Sequence, residues 1–193
     1  MNKKNKVVCS VMMVIAIVTG GAYQADIIST APIGTVEING KPVGDLMVSQ
    51  RALEIIGNAE GCRLEPYKCP AGLLTDGIGN THNVTGQTKT YEQIAKDWVQ
   101  NIQSAQKCLI ASKGDVLISQ GHIDAFTSFI FNTGCTRFRQ NPDGSETRIY
   151  KYIHKGEYKR ACNELRFWVF SGGVRYAGLV ERRHKETALC LTP

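Results

Sequence analysis

Residues 60–81 read EGCRLEPYKCPAGLLTDGIGNT, and the choice of fold turns on them. The stretch opens on an acid, Glu60, and runs into a region punctuated by Pro70, Gly72, Asp76-Gly77 and Gly79, all turn signals. Just upstream, Ser49 is a natural helix N-cap, and Ala52, Leu53 and Ile56 make one apolar face. Gly61 is a helix stop, so Glu60 falls in the last helical turn. The negative end of the helix dipole, with apolar surroundings, favours the protonated acid there. Two thiols stand nearby, Cys62 and Cys69.

Residues 63–85 predict irregular strands and turns, and the chain beyond them is helical. Thr90 with Gln93 forms a capping box before YEQIAKDWVQNIQSAQKCLIA, where Ile94, Trp98, Ile102 and Leu109 recur at helical spacing. SQGHIDAFTSFIFNTG predicts a helix from Ser119 to Gly134. SETRIYKYIHKG predicts a short helix capped by Ser145. EYKRACNELRFWVF puts Tyr158, Ala161, Leu165 and Trp168 on one core-facing side, and GLVERRHKETALCL closes the chain as a last helix. There are no internal repeats. The fold class is α+β: a small mixed lobe over residues 50–85 packed on a mainly helical lobe, with a cleft between them. The helix from Thr90 joins the two.

Residues 49–193 make this domain. Residues 26–48 predict a linker, with a small hairpin at Asn39-Gly40, a good tight-turn pair. Residues 1–25 are a targeting segment. MNKKNK is basic, and there is no charge from Val7 to Ala25, a pattern that sends the rest of the chain across a membrane. Ser10, Ala16, Thr19, Gly20, Gly21 and Ala22 dilute the apolar run below what a firm span needs. Two readings stand: a signal peptide cleaved after Ala22, or a weak anchor able to leave the bilayer intact. Either places the domain in an oxidising compartment.

The 193 residues carry a net charge of +6. Lys3, Lys4 and Lys6 supply half of it, leaving +3 for residues 26–193. That lacks the dense basic stripe of a nucleic-acid binder. Mild positive charge suits approach to an anionic envelope. The Cys and His spacings match no usual zinc pattern, so neither metal nor cofactor is expected.

The stretch from Glu60 to Thr81 resembles the signature of the phage lysozymes, endolysins that cut the glycan strands of peptidoglycan: Glu, eight residues, Asp or Cys, five residues, Thr. Glu60, Cys69 and Thr75 fall at that spacing. AFTSFIFNTG resembles the family's mid-chain helix. The segment from Gly156 to Leu191, with Trp168, Gly172-Gly173, Gly178-Leu179 and Arg182-Arg183, resembles its closing part. The likeness covers roughly residues 49–192. The apolar segment resembles the weak uncleaved anchor of the signal-arrest-release subgroup.

The resemblance implies a phage-lysozyme-like fold with a β-hairpin in the small lobe and an N-terminal membrane-anchor helix. It implies a monomer that cleaves the bond between N-acetylmuramic acid and N-acetylglucosamine, exported to the periplasm on an inner-membrane tether and linked in function to a holin. Glycoside hydrolysis needs an acid for the leaving oxygen and a second group on the opposite side. Glu60 is the acid. Cys69 stands where many members have Asp, as base or nucleophile, and needs an ionised sulfur for either role. Thr75 holds the water. Asp76, the neighbouring carboxylate, is the alternative second group, although adjacent strand residues face opposite ways. Arg182 or Arg183 is a candidate ion-pair partner for Glu60.

Seven cysteines leave one over. Cys108, Cys135, Cys162 and Cys190 are candidates for two structural bridges whose pairing spacing does not settle. Cys9, Cys62 and Cys69 remain. A Cys62–Cys69 bridge would silence Cys69, and attack by Cys9 on that bridge would free it. Two competing classes stand beside this reading. One is a Cys-dependent murein peptidase or amidase using Cys69 with His82, His122, His154 or His184. The other is a wall-binding protein without activity. New reducing ends mark a muramidase, and new amines a peptidase.

Overall fold

A computed structural model of the chain describes residues 9–21, 29–69 and 72–192. Lys3, Lys4, Lys6 and the Ala22 cleavage position lie outside them. Helix α1, Val11–Val18, starts the described chain. Strands β1, Pro32–Ile38, and β2, Lys41–Ser49, pair antiparallel around a turn at Asn39-Gly40. Helix α2, Gln50–Glu60, leads into β3, Arg63–Lys68, and β4, Leu74–Gly77, a second antiparallel pair. The long α3, Tyr91–Ile110, then crosses to the helical lobe. That lobe holds α4, Gln120–Thr133; α5, Cys135–Arg139; α6, Arg148–His154; α7, Tyr158–Glu164; and α8, Ala177–Cys190. Between α7 and α8 a small hairpin, β5, Phe170–Ser171, with β6, Val174–Arg175, projects beside the cleft.

The helix starts are local chemistry. Ser49, Thr90 and Ser119 each accept a backbone N–H from the first turn, and Gln93 returns a carboxamide oxygen to Thr90 N at 2.8 Å. These contacts satisfy donors a helix cannot satisfy itself. The cap of α6 is Thr147, not Ser145. Ser145 instead donates to Asp143 Oδ1 at 2.6 Å within the Asn141–Ser145 turn. The Pro142-Asp143-Gly144 turn delays the helix by two residues.

Two apolar clusters form the core. One unites α4, α6, α7 and α8 around Phe126, Phe129, Phe138, Ile149 and Leu165. The other joins Leu53, Ile56, Ile94 and Trp98 to residues from outside the expected domain. Val36 and Ile38 of β1, Leu46 and Val48 of β2, and Val14, Ile15 and Val18 of α1 are all buried in it. Residues 26–48 are therefore not a plain linker: from Pro32 onward they form a sheet whose alternate residues face the core. The N-terminal apolar segment is likewise seated in the domain as α1. Among the described residues, no helix is long and apolar enough to cross a membrane.

The start of helix α2 is fixed to α4. Asp124 is buried and accepts from Ser49 N at 2.8 Å, Ser49 Oγ at 2.6 Å and Gln120 Nε2 at 2.8 Å. Three disulfides close the frame: Cys9–Cys62, Cys108–Cys135 and Cys162–Cys190.

Candidate active site

Glu60 is the last residue of α2, and Gly61 ends the helix with φ +70°. Its surroundings are not apolar, as the sequence alone suggests. Arg182 of α8 donates through Nη1 to Glu60 Oε1 at 2.5 Å. Arg182 is buried, and burial alone would lower its pKa. The charges of Glu186 and Glu60 outweigh that and hold its pKa above the ordinary arginine value.

Arg182 belongs to a buried network. Its Nε donates to Glu186 Oε1 at 3.0 Å and its Nη2 to the Ser128 carbonyl at 2.9 Å. Ser128 Oγ donates to the same Glu186 oxygen at 2.6 Å. Arg183, the other candidate partner, turns away from Glu60: it donates to Glu186 Oε2, to Asn132 Oδ1 and to the Trp168 carbonyl, over the Phe129 ring. Glu186 has no exposed surface and is the anion between two buried cations.

The other carboxylate oxygen of Glu60, Oε2, faces the turn after β4. Gly79 there has φ +65°, and a Cβ on it would lie 2.9 Å from Oε2. Glycine is required twice over, for the backbone and for the space. Gly79→Ala is expected to displace the carboxyl and lower turnover roughly 100-fold with little change in substrate binding, as kcat and KM on purified peptidoglycan would read.

Two hollows lie near this carboxyl. One, of about 790 Å³, is lined by Glu60, Asn132, Arg182 and the β5–β6 hairpin. The other, of about 280 Å³, is lined by Gly79, Thr81, His82 and Phe131. Glu60 lines the first, and Gly79, which abuts its Oε2, lines the second.

Cys69 stands in the connection from β3 to β4, outside any disulfide. Its N–H donates to the Leu73 carbonyl at 2.9 Å, and its carbonyl accepts from Gly72 N at 2.8 Å. Thr75 lies opposite Tyr67 in the β3–β4 ladder, is 2% exposed, and donates its hydroxyl proton to the Leu73 carbonyl at 3.1 Å. Its oxygen keeps lone pairs to accept from a water. Tyr67 ties the cluster together. Burial raises its phenol pKa, Arg63 above the ring draws it back, and charge on Glu60, Cys69 and Asp76 adds to the rise.

Asp76 is engaged elsewhere. It is fully buried, accepts from Asn80 Nδ2 at 2.7 Å and pairs with Lys89 at 2.8 Å. Lys89 also meets Asp97 at 2.6 Å. Asp76 fixes the turn carrying Gly79 to the loop before α3. Of the histidines, His122 stacks with Phe126 and packs tilted against Tyr158, and His154 stacks with Tyr150, all in the helical lobe. His122 also lies within 4.8 Å of Cys162 and Cys190 as a possible metal-ligand trio, but those two sulfurs are bonded to each other.

A family model for phage lysozyme matches residues 57–186. The chain belongs to the phage lysozyme family. A signal-arrest-release (SAR) endolysin of Escherichia phage P1 is 46% identical over 155 residues, covering 77% of this chain and 84% of that protein. One from Haemophilus phage HP1 is 38% identical, covering 75% and 81%. Among solved structures, the active form of the P1 phage endolysin matches with a TM-score of 0.75 and 40% identity, over 96% of this chain and 95% of that one. The secreted inactive form of the same endolysin matches with a TM-score of 0.53 and 44% identity, over 75% and 96%. The match to the active form thus takes in more of this phage-lysozyme-family chain than the match to the inactive form, 96% against 75%.

Membership explains the arrangement of α2, the β3–β4 pair and α8 around one acid. The sequence offers Arg182 and Arg183 equally as partners of Glu60, and nothing local in ERRHKE marks Glu186 as buried; contact with Ser128 and Asn132 of α4 decides both.

Proposed function

We propose that the chain is an endolysin that hydrolyses the β-1,4 bond between N-acetylmuramic acid and N-acetylglucosamine in peptidoglycan and so lyses the host cell. What supports this most is the Glu60 carboxyl in the wall of a large hollow, with Oε1 held by Arg182, in a chain of the phage lysozyme family. Glu60 is the general acid. Arg182 engages Oε1, and Oε2, toward Gly79, carries the proton to the leaving glycosidic oxygen. Cys69 acts on the far face as a thiolate, activating water or attacking the sugar carbon itself, and Thr75 accepts a hydrogen bond from that water.

The activity is controlled by disulfide rearrangement. Before release, residues 1–25 tether the domain to the inner membrane on its periplasmic side, and Cys62 is bonded to Cys69. After release, Cys9 takes Cys62, as in this structure, and Cys69 becomes a thiol. A holin that collapses the membrane potential is the partner that triggers release. The working unit is a monomer, and its substrate is the glycan strand.

A disulfide map of the tethered and released forms, with thiols trapped, tests the reading. Cys62–Cys69 before release and Cys9–Cys62 after it are expected, and Cys9→Ser should keep released protein inactive. Cys69 bonded in a fully active enzyme would overturn both the switch and the catalytic thiol.

A further inference from the structure

The Cys9–Cys62 bridge exists only because α1 lies down on the domain. Its seat is made on α2 by the absence of a side chain. A Cβ at Gly57 would overlap Val11 Cγ1 well inside contact distance, and it would also touch the Trp98 ring at 3.5 Å. Gly57 is buried in mid-helix, where glycine weakens a helix relative to alanine. Helical backbone does not require glycine there, so contact with α1 is the physical reason for it.

The rest of the seat agrees. Val14, Ile15 and Val18 are fully buried against the cluster that holds Ile56 and Trp98. Ser10 N donates to the Tyr91 hydroxyl at 3.1 Å at the mouth of the slot, and Cys9 is its chain neighbour, with its Cα 5.3 Å from that of Cys62.

We propose that the slot at Gly57 is the receptor that α1 must enter before Cys9 can reach Cys62, so that the fit of residue 57 to Val11 sets whether released protein switches on. The inference rests on the exchange reading above. In that step the Cys9 thiolate attacks Cys62 Sγ. The Cys9–Cys62 bond forms as Cys62–Cys69 breaks, and the electron pair leaves on Cys69 Sγ, which takes up the proton Cys9 gave up. One thiol and one disulfide exist before and after, so no oxidant is consumed.

The partner of the slot is thus the chain's own anchor segment, held away in lipid until release. Burial of three aliphatic side chains in the slot draws the segment out of water once it leaves the bilayer. An alanine at 57 strengthens α2 on its own and obstructs only the docked state.

The test uses the full chain in membranes whose potential is then collapsed, with thiols trapped over time and bonded cysteines mapped. Gly57→Ala should slow the appearance of Cys9–Cys62 and of activity on the order of tenfold, the cost of overpacking a filled contact. Val11→Ala in the same chain should restore both, because it removes the obstructing methyl. Exchange at the wild-type rate in Gly57→Ala, or no recovery with Val11→Ala, overturns the slot.

A second background separates this from failure of the exchange reading itself. With Cys9→Ser and Cys62→Ser together, Cys69 cannot be locked, and Gly57→Ala should then leave activity at the level of that background. Activity lost there too would show that Gly57 serves the fold rather than docking, and would overturn the proposal. Full activity of Cys9→Ser alone, with Gly57 intact, would instead overturn the exchange step.

Discussion

Glu60→Gln should remove peptidoglycan cleavage, with turnover falling about 10²–10⁴-fold, the usual contribution of a positioned general acid. The amide keeps the shape and accepts from Arg182 Nη1, but it has no proton to deliver. Arg182 keeps Glu186 and the Ser128 carbonyl, so the charge left by Glu60 is not stranded. The melting temperature should therefore change little, and the glycan should still bind. Release of reducing ends, a pull-down on insoluble peptidoglycan and a thermal melt together check this. Cleavage at the native rate by Glu60→Gln would remove Glu60 from the mechanism. Loss of binding together with cleavage would make it a recognition residue.

The largest effect on stability should come from Glu186→Ala. Glu186 is fully buried and receives Arg182, Arg183 and Ser128 at once. Removing it leaves two neighbouring guanidiniums buried with far less opposing charge. Breaking a buried pair by deleting one partner costs about 3–5 kcal/mol, a large share of the ~5–15 kcal/mol that holds a domain folded. Burial already pulls the Arg183 pKa below the ordinary arginine value, and Glu186 is what opposes that.

Activity should fall as well, because Arg182 would no longer hold the Glu60 carboxyl in place. Urea unfolding measures the first effect, and assay of the fraction still folded measures the second. An unfolding midpoint within error of the native protein would show that the network contributes nothing net. Replacing Arg182, Arg183 and Glu186 together by apolar residues should be milder than Glu186→Ala alone, since no buried charge is then left unmatched.

Glu60→Gln and Glu186→Ala separate chemistry from scaffold, yet they act on one chain of contacts: Glu60, Arg182, Glu186, Ser128. The acid is placed by a helix C-terminus in one lobe and by a cation from the last helix of the other. The bond between them joins residues 122 apart in sequence. Two residues after Glu60, Cys62 is bonded to Cys9 of the N-terminal segment.

Local features were legible in the sequence. Ser49, the Thr90–Gln93 box and Ser119 cap their helices through contacts three residues long, and Gly61 and Gly134 end them. Such signals need no knowledge of the rest of the chain. The Asn141–Ser145 turn was the exception, since a competing turn shifted the cap of α6 to Thr147. The apolar periodicity of α3 and α4 likewise marks the faces that are buried.

Helix α5, the end of α7 at Glu164 and the β5–β6 hairpin were not read from the sequence. Residue order and spacing were enough for α2, α3, α4, α6 and α8, for the interval between Glu60, Cys69 and Thr75, and for the odd cysteine in an apolar N-terminal segment. All of these rest on contacts within a few residues and on counting. Long-range packing was needed to make residues 32–49 a core hairpin, to seat α1 in a slot at Gly57, to bond Cys108 to Cys135 and Cys162 to Cys190, and to bring Arg182 rather than Arg183 to Glu60. Each of these depends on which faces meet across long loops, and burial and charge pairing between distant segments leave no periodic mark on the chain.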